Sequence, residues 1–388
     1  MLVSIIKENL QIGGTERSVA NISTALSRDY NVELLLFDGS KIDYSFGGEL
    51  IDFQSPASNF VLIKIIRTLE RIKKYKKYLR NNRPNIIFSF LSIHNPINRI
   101  NTPNFKKIIS SRDFSKLKEH IRLFKKSLDC SDALICNSKY LANYYVSRYP
   151  DDSKKVFCVY NIINLSLIIE ESKENVPDVF NDFLHGHTFN FVCVGRFCEE
   201  KGFEYLLKAF ALLRRSALDV GLVMIGDGEL RGRLENIILE EKIDGHVFLT
   251  GSQKNPYKYM KKCDCFVLSS LSEGFPNVLV EAMSLSLPVV ATNCFSGPAE
   301  VLRKSQEYTE VRGDFEECDY GVLVRRFNKN QNGVVDCVPL ANALHFLLND
   351  KSNVQKYRDL SFNRAHDFSE NIAINSFTNV FKHLLKKE

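Results

Sequence analysis

The chain has 388 residues, 44% of them hydrophobic and 25% charged, with a formal net charge of +6. That is long enough for two buried cores, too apolar for a disordered chain, and without the run of ~20 apolar residues that a membrane-spanning helix requires. Ten cysteines are scattered, several inside apolar runs (Cys136, Cys158, Cys193, Cys265), which argues against a disulfide framework and for a reducing, cytoplasmic compartment.

The N-terminus, Met1 to Lys7, is too short and too soon charged for a secretory signal, and residues 2–6 are expected as a first strand. Gly13-Gly14 breaks the chain, and Thr15 to Ser27 reads as an amphipathic helix through Val19, Ile22 and Leu26. Glycines at such a junction let the backbone approach a phosphate or sugar, although the full G-x-G-x-x-G of a dinucleotide site is missing. Strands follow at 32–37, 86–90, 107–110, 133–136 and 156–160. Between the first and second of these, Lys64 to Arg83 carries nine basic residues and a single acid, Glu70. Leu62, Ile65, Ile66, Leu69, Ile72 and Leu79 fall near helical spacing there, so the segment is expected as a basic amphipathic helix. A second basic group stands at Lys116, Lys118, Arg122, Lys125 and Lys126. Residues 1–165 hold 26 Lys and Arg against 15 Asp and Glu, and the remainder is net acidic. Each basic side chain near an anionic bilayer contributes about 1 kcal/mol, so the sequence points to an anionic membrane surface as a partner of Lys64 to Arg83. The competing reading is an ordinary surface helix with its apolar side on a sheet. Nucleic acid is disfavoured, since no RNA-binding aromatic motif accompanies the charge.

Residues 161–188 are polar and are expected as a linker with a surface excursion. The strand-helix alternation then restarts: strands at 189–195, 220–226, 247–251, 265–268 and 287–292, with a helix from Gly202 to Leu213. Alternation of this kind implies α/β architecture, two Rossmann-like domains with parallel sheets and ligands at the carboxyl ends of the strands. The expected boundaries are 1–165, 166–365, and a C-terminal helix at 366–388 packing back on the first domain.

Chemistry-bearing residues gather at those strand ends. Arg196 and Lys201, five positions apart across a turn, suit a diphosphate, one as a planar fork and the other as a compact charge. Gly226-Asp227-Gly228 and Thr250-Gly251-Ser252 are further turns after strands. Glu273-Gly274-Phe275-Pro276-Asn277-Val278-Leu279-Val280-Glu281 sets two carboxylates eight positions apart around a helix start, whose backbone N–H groups and dipole favour an anion. Either acid alone is more often a cap or a solvated charge.

The run S-x-x-E-G-F-P-N-V-L-V-E-A-M, with G-R-x-x-x-x-K-G, G-D-G-x-L-R and Gly297-Pro298-Ala299-Glu300, resembles the donor-site signature of family 4 retaining glycosyltransferases. The resemblance implies a GT-B fold, two Rossmann-like domains facing across a cleft. It also implies transfer of a hexose or N-acetylhexosamine from a nucleotide sugar, UDP-linked by preference, to a lipid-linked saccharide in surface polysaccharide assembly at the inner face of a membrane. Carried over, it assigns Glu273 to the donor sugar and Glu281 to the ribose. Gly274, Phe275, Pro276, Asn277 and Val278 would hold the sugar and distal phosphate, Arg196 and Lys201 the leaving diphosphate, Gly251 and Ser252 the base, and Gly13 and Gly14 the donor. It implies no cofactor and no metal. One departure is that Arg112 stands where many relatives carry a histidine; His94 is the nearest alternative imidazole. The rival expectations are a nucleotide-sugar epimerase on the same fold and a non-catalytic sugar-nucleotide-binding scaffold.

Overall fold

The computed structural model describes all residues except 59, 93, 113–120, 217–218, 329–334 and 387–388. The chain divides into two units, Met1–Ile163 with Glu370–Glu388, and Asn164–Ser369.

The first unit is built on a seven-stranded parallel sheet: β1 (Leu2–Lys7), β2 (Asn31–Leu36), β3 (Glu49–Asp52), β4 (Ile86–Ser89), β5 (Lys106–Ser111), β6 (Ala133–Cys136) and β7 (Val156–Cys158). Their order is β3-β2-β1-β4-β5-β6-β7. The central strands are apolar at successive positions because both faces are covered, and alternate side chains go to different cores. Val3, Ile5, Leu34, Leu36 and Phe88 pack with Val19, Ile22 and Leu26 of α1 (Gly14–Leu26) and with Phe377 and Phe381 of the last helix, Glu370–Leu385. Ile6, Leu35 and Ile87 pack on the other face with Tyr75, Tyr78 and Leu79 of α2 (Val61–Asn82).

That second contact corrects the simple amphipathic reading of α2. Only its later turns sit on the sheet, through Tyr75, Tyr78 and Leu79, while Leu62, Ile65, Ile66 and Leu69 are 55–77% exposed. Arg71 ties the helix to the end of β1 through Glu8 (2.8 Å) and to the Ser55 carbonyl. In the second basic group, Lys125 is engaged by Asp129 and Asp152, whereas Lys116 and Lys118 lie outside the described residues.

The second unit repeats the plan with β8 (Phe189–Val194), β9 (Val220–Ile225), β10 (Val247–Gly251), β11 (Cys265–Leu268), β12 (Val289–Thr292), β13 (Phe315–Cys318) and β14 (Gly321–Val324). The order is β10-β9-β8-β11-β12-β14-β13. The sheet is parallel except at its edge, where β13 runs antiparallel to β14 across the short turn between Cys318 and Gly321. The expected linker is instead folded. It contributes the helices Leu165–Glu171 and Asp178–His185, because Leu165, Ile168 and Phe180 supply a buried side that the polar composition masks. Phe180 is fully buried, edge-on to Phe248 and Tyr259.

In both sheets the chain order reverses direction beside the first strand, between β1 and β4 and between β8 and β11. Crossovers leave such a point on opposite faces, which opens a crevice at the carboxyl ends of its two strands.

Candidate functional site

The loop after β8 and the loop after β11 meet at the second unit's reversal point. Lys201 Nζ lies 2.7 Å from Glu273 Oε1, with side chains 26% and 10% exposed. Ser270 Oγ donates to the same carboxylate oxygen at 2.7 Å. Burial alone would lower the Lys201 pKa, but the Glu273 carboxylate outweighs it and the net displacement is upward, so the ammonium form is held. Sequence reading named both residues without joining them, since 72 positions separate them. Ser270 is the serine of the S-x-x-E run that ends at Glu273.

Backbone geometry explains why this junction needs its glycines. Gly202 has φ +63°, and a Cβ there would stand 2.2 Å from the Ser269 carbonyl oxygen. Ser269 Oγ in turn donates to the Lys201 carbonyl at 2.9 Å, so the two loops are clamped together. Gly226, at φ +148°, lets the β9 turn lie against Gly195, where a Cβ would meet the Gly195 oxygen at 1.9 Å. Phe197 N–H donates to the Asp227 carbonyl (2.9 Å) and Leu230 N–H to the Phe197 carbonyl (3.0 Å). Arg196 is exposed at this turn, within the same loop as Lys201. Gly251 continues the row at φ +70°, its carbonyl accepting from Gly226 N–H (3.0 Å), with Ser252 exposed beside it.

Pro276 caps the helix Asn277–Ser284, one position earlier than a proline at the first helical residue. The loop leading into it is fixed from the side. The Gly274 carbonyl accepts from Ser296 Oγ (2.6 Å) and Gly297 N–H (3.2 Å), and Phe275 is buried against Phe368. Asn277 and Val278 are half-buried at the helix start, and Glu281, one turn on, is 7% exposed. One helix amino end, one ammonium and two carboxylates thus gather around the carboxyl ends of β8 and β11. That arrangement can hold a polyanion and grip hydroxyl groups on both sides of it.

The first unit carries its own groups at the same sheet edge. Gly13, at φ 176°, is ordinary extended backbone. What its lack of a side chain provides is room for Glu16, whose Oε2 would lie 2.2 Å from a Cβ there and whose carboxylate pairs with Lys7 at 3.0 Å. Gly14 faces open space. Arg112, after β5, is bound by Asn161 Oδ1 (2.5 Å) and Ser110 Oγ (2.9 Å) and stacks over Phe90 at 4.5 Å. Its second amino nitrogen meets no hydrogen-bond partner among the described residues. Burial pulls its pKa down to about 9, which leaves it cationic at neutral pH. His94 is half-buried beyond β4.

Among the described residues one group meets the spacing of a metal site, His187, Asp219 and His246, and it lies at the opposite sheet edge, where β8, β9 and β10 begin. Arg214 donates to His246 Nε2 at 2.6 Å, and His246 Nδ1 lies 2.9 Å from His187 Nε2. An arginine only donates, so the imidazoles form a hydrogen-bonded chain.

Residues 12–167 match the sequence model of glycosyltransferase family 4, and residues 180–315 match that of the group 1 glycosyl transferases. The chain is 29% identical over 380 residues to a Campylobacter jejuni protein, covering 93% of this chain and 94% of that one. That protein is named N-acetylgalactosamine-N,N'-diacetylbacillosaminyl-diphospho-undecaprenol 4-alpha-N-acetylgalactosaminyltransferase. This chain is 24% identical over 301 residues to the amylovoran biosynthesis glycosyltransferase AmsD of Erwinia amylovora, over 75% and 80% of the two chains. Its fold matches that of Anabaena HepE in complex with UDP and glucose, with a TM-score of 0.72, 15% identity and 98% of each chain covered.

Proposed function

This chain belongs to the family 4 glycosyltransferases, with the two Rossmann-like units of the GT-B class, and we propose that it moves a hexose or N-acetylhexosamine from a UDP-sugar to a lipid-linked saccharide. The observation that carries the donor half is the Lys201–Glu273 pair set at the carboxyl ends of β8 and β11 beside the helix Asn277–Ser284. In this reading Lys201 and Arg196 neutralise the diphosphate, and the helix amino end takes its distal phosphate. Glu273 accepts hydrogen bonds from sugar hydroxyls, and Glu281 from the ribose.

The transfer breaks the bond between the anomeric carbon and the phosphate oxygen and forms a bond from the acceptor hydroxyl on the same face. The acceptor's proton passes to the departing phosphate oxygen, so the configuration is retained. Negative charge grows on the leaving diphosphate, and fixed cations aimed there lower the barrier. No metal is required in this scheme, because Arg196, Lys201 and the helix end supply the positive potential. Arg112, cationic and with one amino nitrogen unengaged among the described residues, is proposed to meet an anionic group of a substrate in place of the relatives' histidine.

The lipid-linked acceptor and the setting in surface polysaccharide assembly are supported by the names of the Campylobacter and Erwinia relatives. Such an acceptor would be met at the inner face of the plasma membrane. No helix among the described residues is long and apolar enough to cross a membrane. Incubation with a panel of UDP-, GDP- and ADP-sugars tests the donor, read as released nucleoside diphosphate and as a rise in Tm. A UDP-sugar should give both. No rise with any nucleotide sugar would overturn the reading.

A further inference from the structure

His187, Asp219 and His246 converge at the end of the second sheet away from the proposed donor site. His187 precedes β8, Asp219 precedes β9 and His246 precedes β10, so three neighbouring parallel strands bring them together. One ligand atom from each lies within 4.8 Å of those of the other two. Both imidazoles are half-buried and the carboxylate is exposed, which leaves one side open to water. Thr188 fixes the spacing, its N–H (3.0 Å) and Oγ1 (2.6 Å) both donating to the Asp219 carbonyl. The Asp219 carboxylate takes no part in that clamp.

The protons in the cluster can be placed atom by atom. The Phe183 carbonyl only accepts, so His187 Nδ1 carries the ring proton and donates to it at 2.9 Å. His187 Nε2 therefore presents a lone pair towards His246 Nδ1, 2.9 Å away. A hydrogen bond from the far ring nitrogen to a carbonyl is the contact that fixes the tautomer and orientation of metal-binding imidazoles. The Phe183 ring, 4.6 Å from the His187 ring, walls one side. Two nitrogens on one tetrahedral zinc, each about 2.0–2.1 Å from the metal, stand about 3.3 Å apart, so the pair needs to open by about 0.4 Å.

His246 is the ligand that must change. Arg214 donates to its Nε2 at 2.6 Å, which leaves the ring proton on Nδ1. A metal on Nδ1 sends that proton through solvent to Nε2, where it would face the guanidinium's own N–H. Arg214, the last residue of the helix Phe203–Arg214, must then swing away. Arg214 and the metal thus compete for one imidazole.

We propose that His187 Nε2, His246 Nδ1 and the Asp219 carboxylate form a zinc site, with water in the fourth position, that staples the amino ends of β8, β9 and β10. Two imidazoles and one carboxylate suit Zn²⁺ over Mg²⁺ or Ca²⁺, which take oxygen ligands. Lys201 and Glu273 lie at the other end of the strands, so the site acts on stability and stands apart from the transfer reaction.

The test titrates the EDTA-stripped full chain with Zn²⁺, read by calorimetry and by Tm, and with Co²⁺, read by its visible spectrum. Wild type should bind one equivalent and give a four-coordinate Co²⁺ spectrum without thiolate charge-transfer bands. At about 100 times Kd, zinc should raise Tm by roughly 5 °C or more. His187→Gln/His246→Gln should lose that equivalent. Asp219→Ala, which leaves the Thr188 clamp and both imidazoles in place, should weaken it at least about tenfold and serves if the histidine variant fails to fold. Arg214→Ala should tighten it about tenfold, since one charge-assisted hydrogen bond no longer has to be broken. Wild type that takes up no zinc, whatever Arg214→Ala does, overturns the proposal and leaves a hydrogen-bonded chain only. Equal binding by Asp219→Ala and wild type, or thiolate bands with Co²⁺, also overturns it and assigns the metal to other side chains.

Discussion

Glu273→Gln isolates the charge at the centre of the proposed donor site. The substitution keeps the side chain's size and an oxygen for Ser270 Oγ, and removes only the negative charge 2.7 Å from Lys201. At that separation, with an effective dielectric constant of about 20, the direct attraction is roughly 6 kcal/mol. Desolvation of both groups offsets most of it. Fully buried pairs cost about 3–5 kcal/mol to break and exposed ones about 0–1, so side chains 26% and 10% exposed should lose about 2 kcal/mol. In a unit of roughly 200 residues that lowers Tm by about 4–8 °C. The effect on transfer should be larger. A lost charge-assisted hydrogen bond to the reacting sugar costs about 100-fold in kcat/KM, mostly in kcat.

The pH dependence has a definite sign. The folded-state pKa of Lys201 is raised, so its contribution is complete below the ordinary lysine value of about 10.4 and disappears as pH rises through the folded value. Denaturant titrations at neutral pH and above pH 10 should therefore show the wild-type advantage over Glu273→Gln shrinking at the alkaline end. Undiminished kcat/KM in a folded variant, measured by release of nucleoside diphosphate, would refute the role given to this acid.

Three further outcomes are expected. Gly202→Ala places a Cβ 2.2 Å from the Ser269 oxygen at φ +63°, so it should cost about 2 kcal/mol or more in denaturant titrations and displace Lys201 enough to cut donor affinity. Phe180→Ala empties a fully buried site against Phe248 and Tyr259 and should destabilise the second unit by about 3–5 kcal/mol; a cost below 1 kcal/mol would mean that this helix is peripheral after all. Exhaustive treatment with EDTA should leave turnover within about twofold, since cations of the chain are assigned the diphosphate charge, and restoration by added Mg²⁺ of a lost activity would contradict that assignment.

The amino-acid sequence by itself determined the central strands of both sheets and the chemistry of the loops that follow them. Strands covered on both faces read as unbroken apolar runs, and the turns that follow β8 and β9 announce themselves through Gly202 and Gly226, because those junctions need close backbone approach. The tertiary structure alone decided which loops meet. That Lys201 and Glu273 touch follows from β8 and β11 being neighbours, a pairing that no local spacing encodes. It also decided which side of α2 faces out. A helical period marks a stripe, but whether Leu62 and Ile66 or Tyr75 and Leu79 lie on the sheet depends on where β2 and β4 sit beneath them. In the same way Phe180 turned a polar stretch into a packed helix, because one aromatic side chain in a waiting pocket outweighs the composition around it.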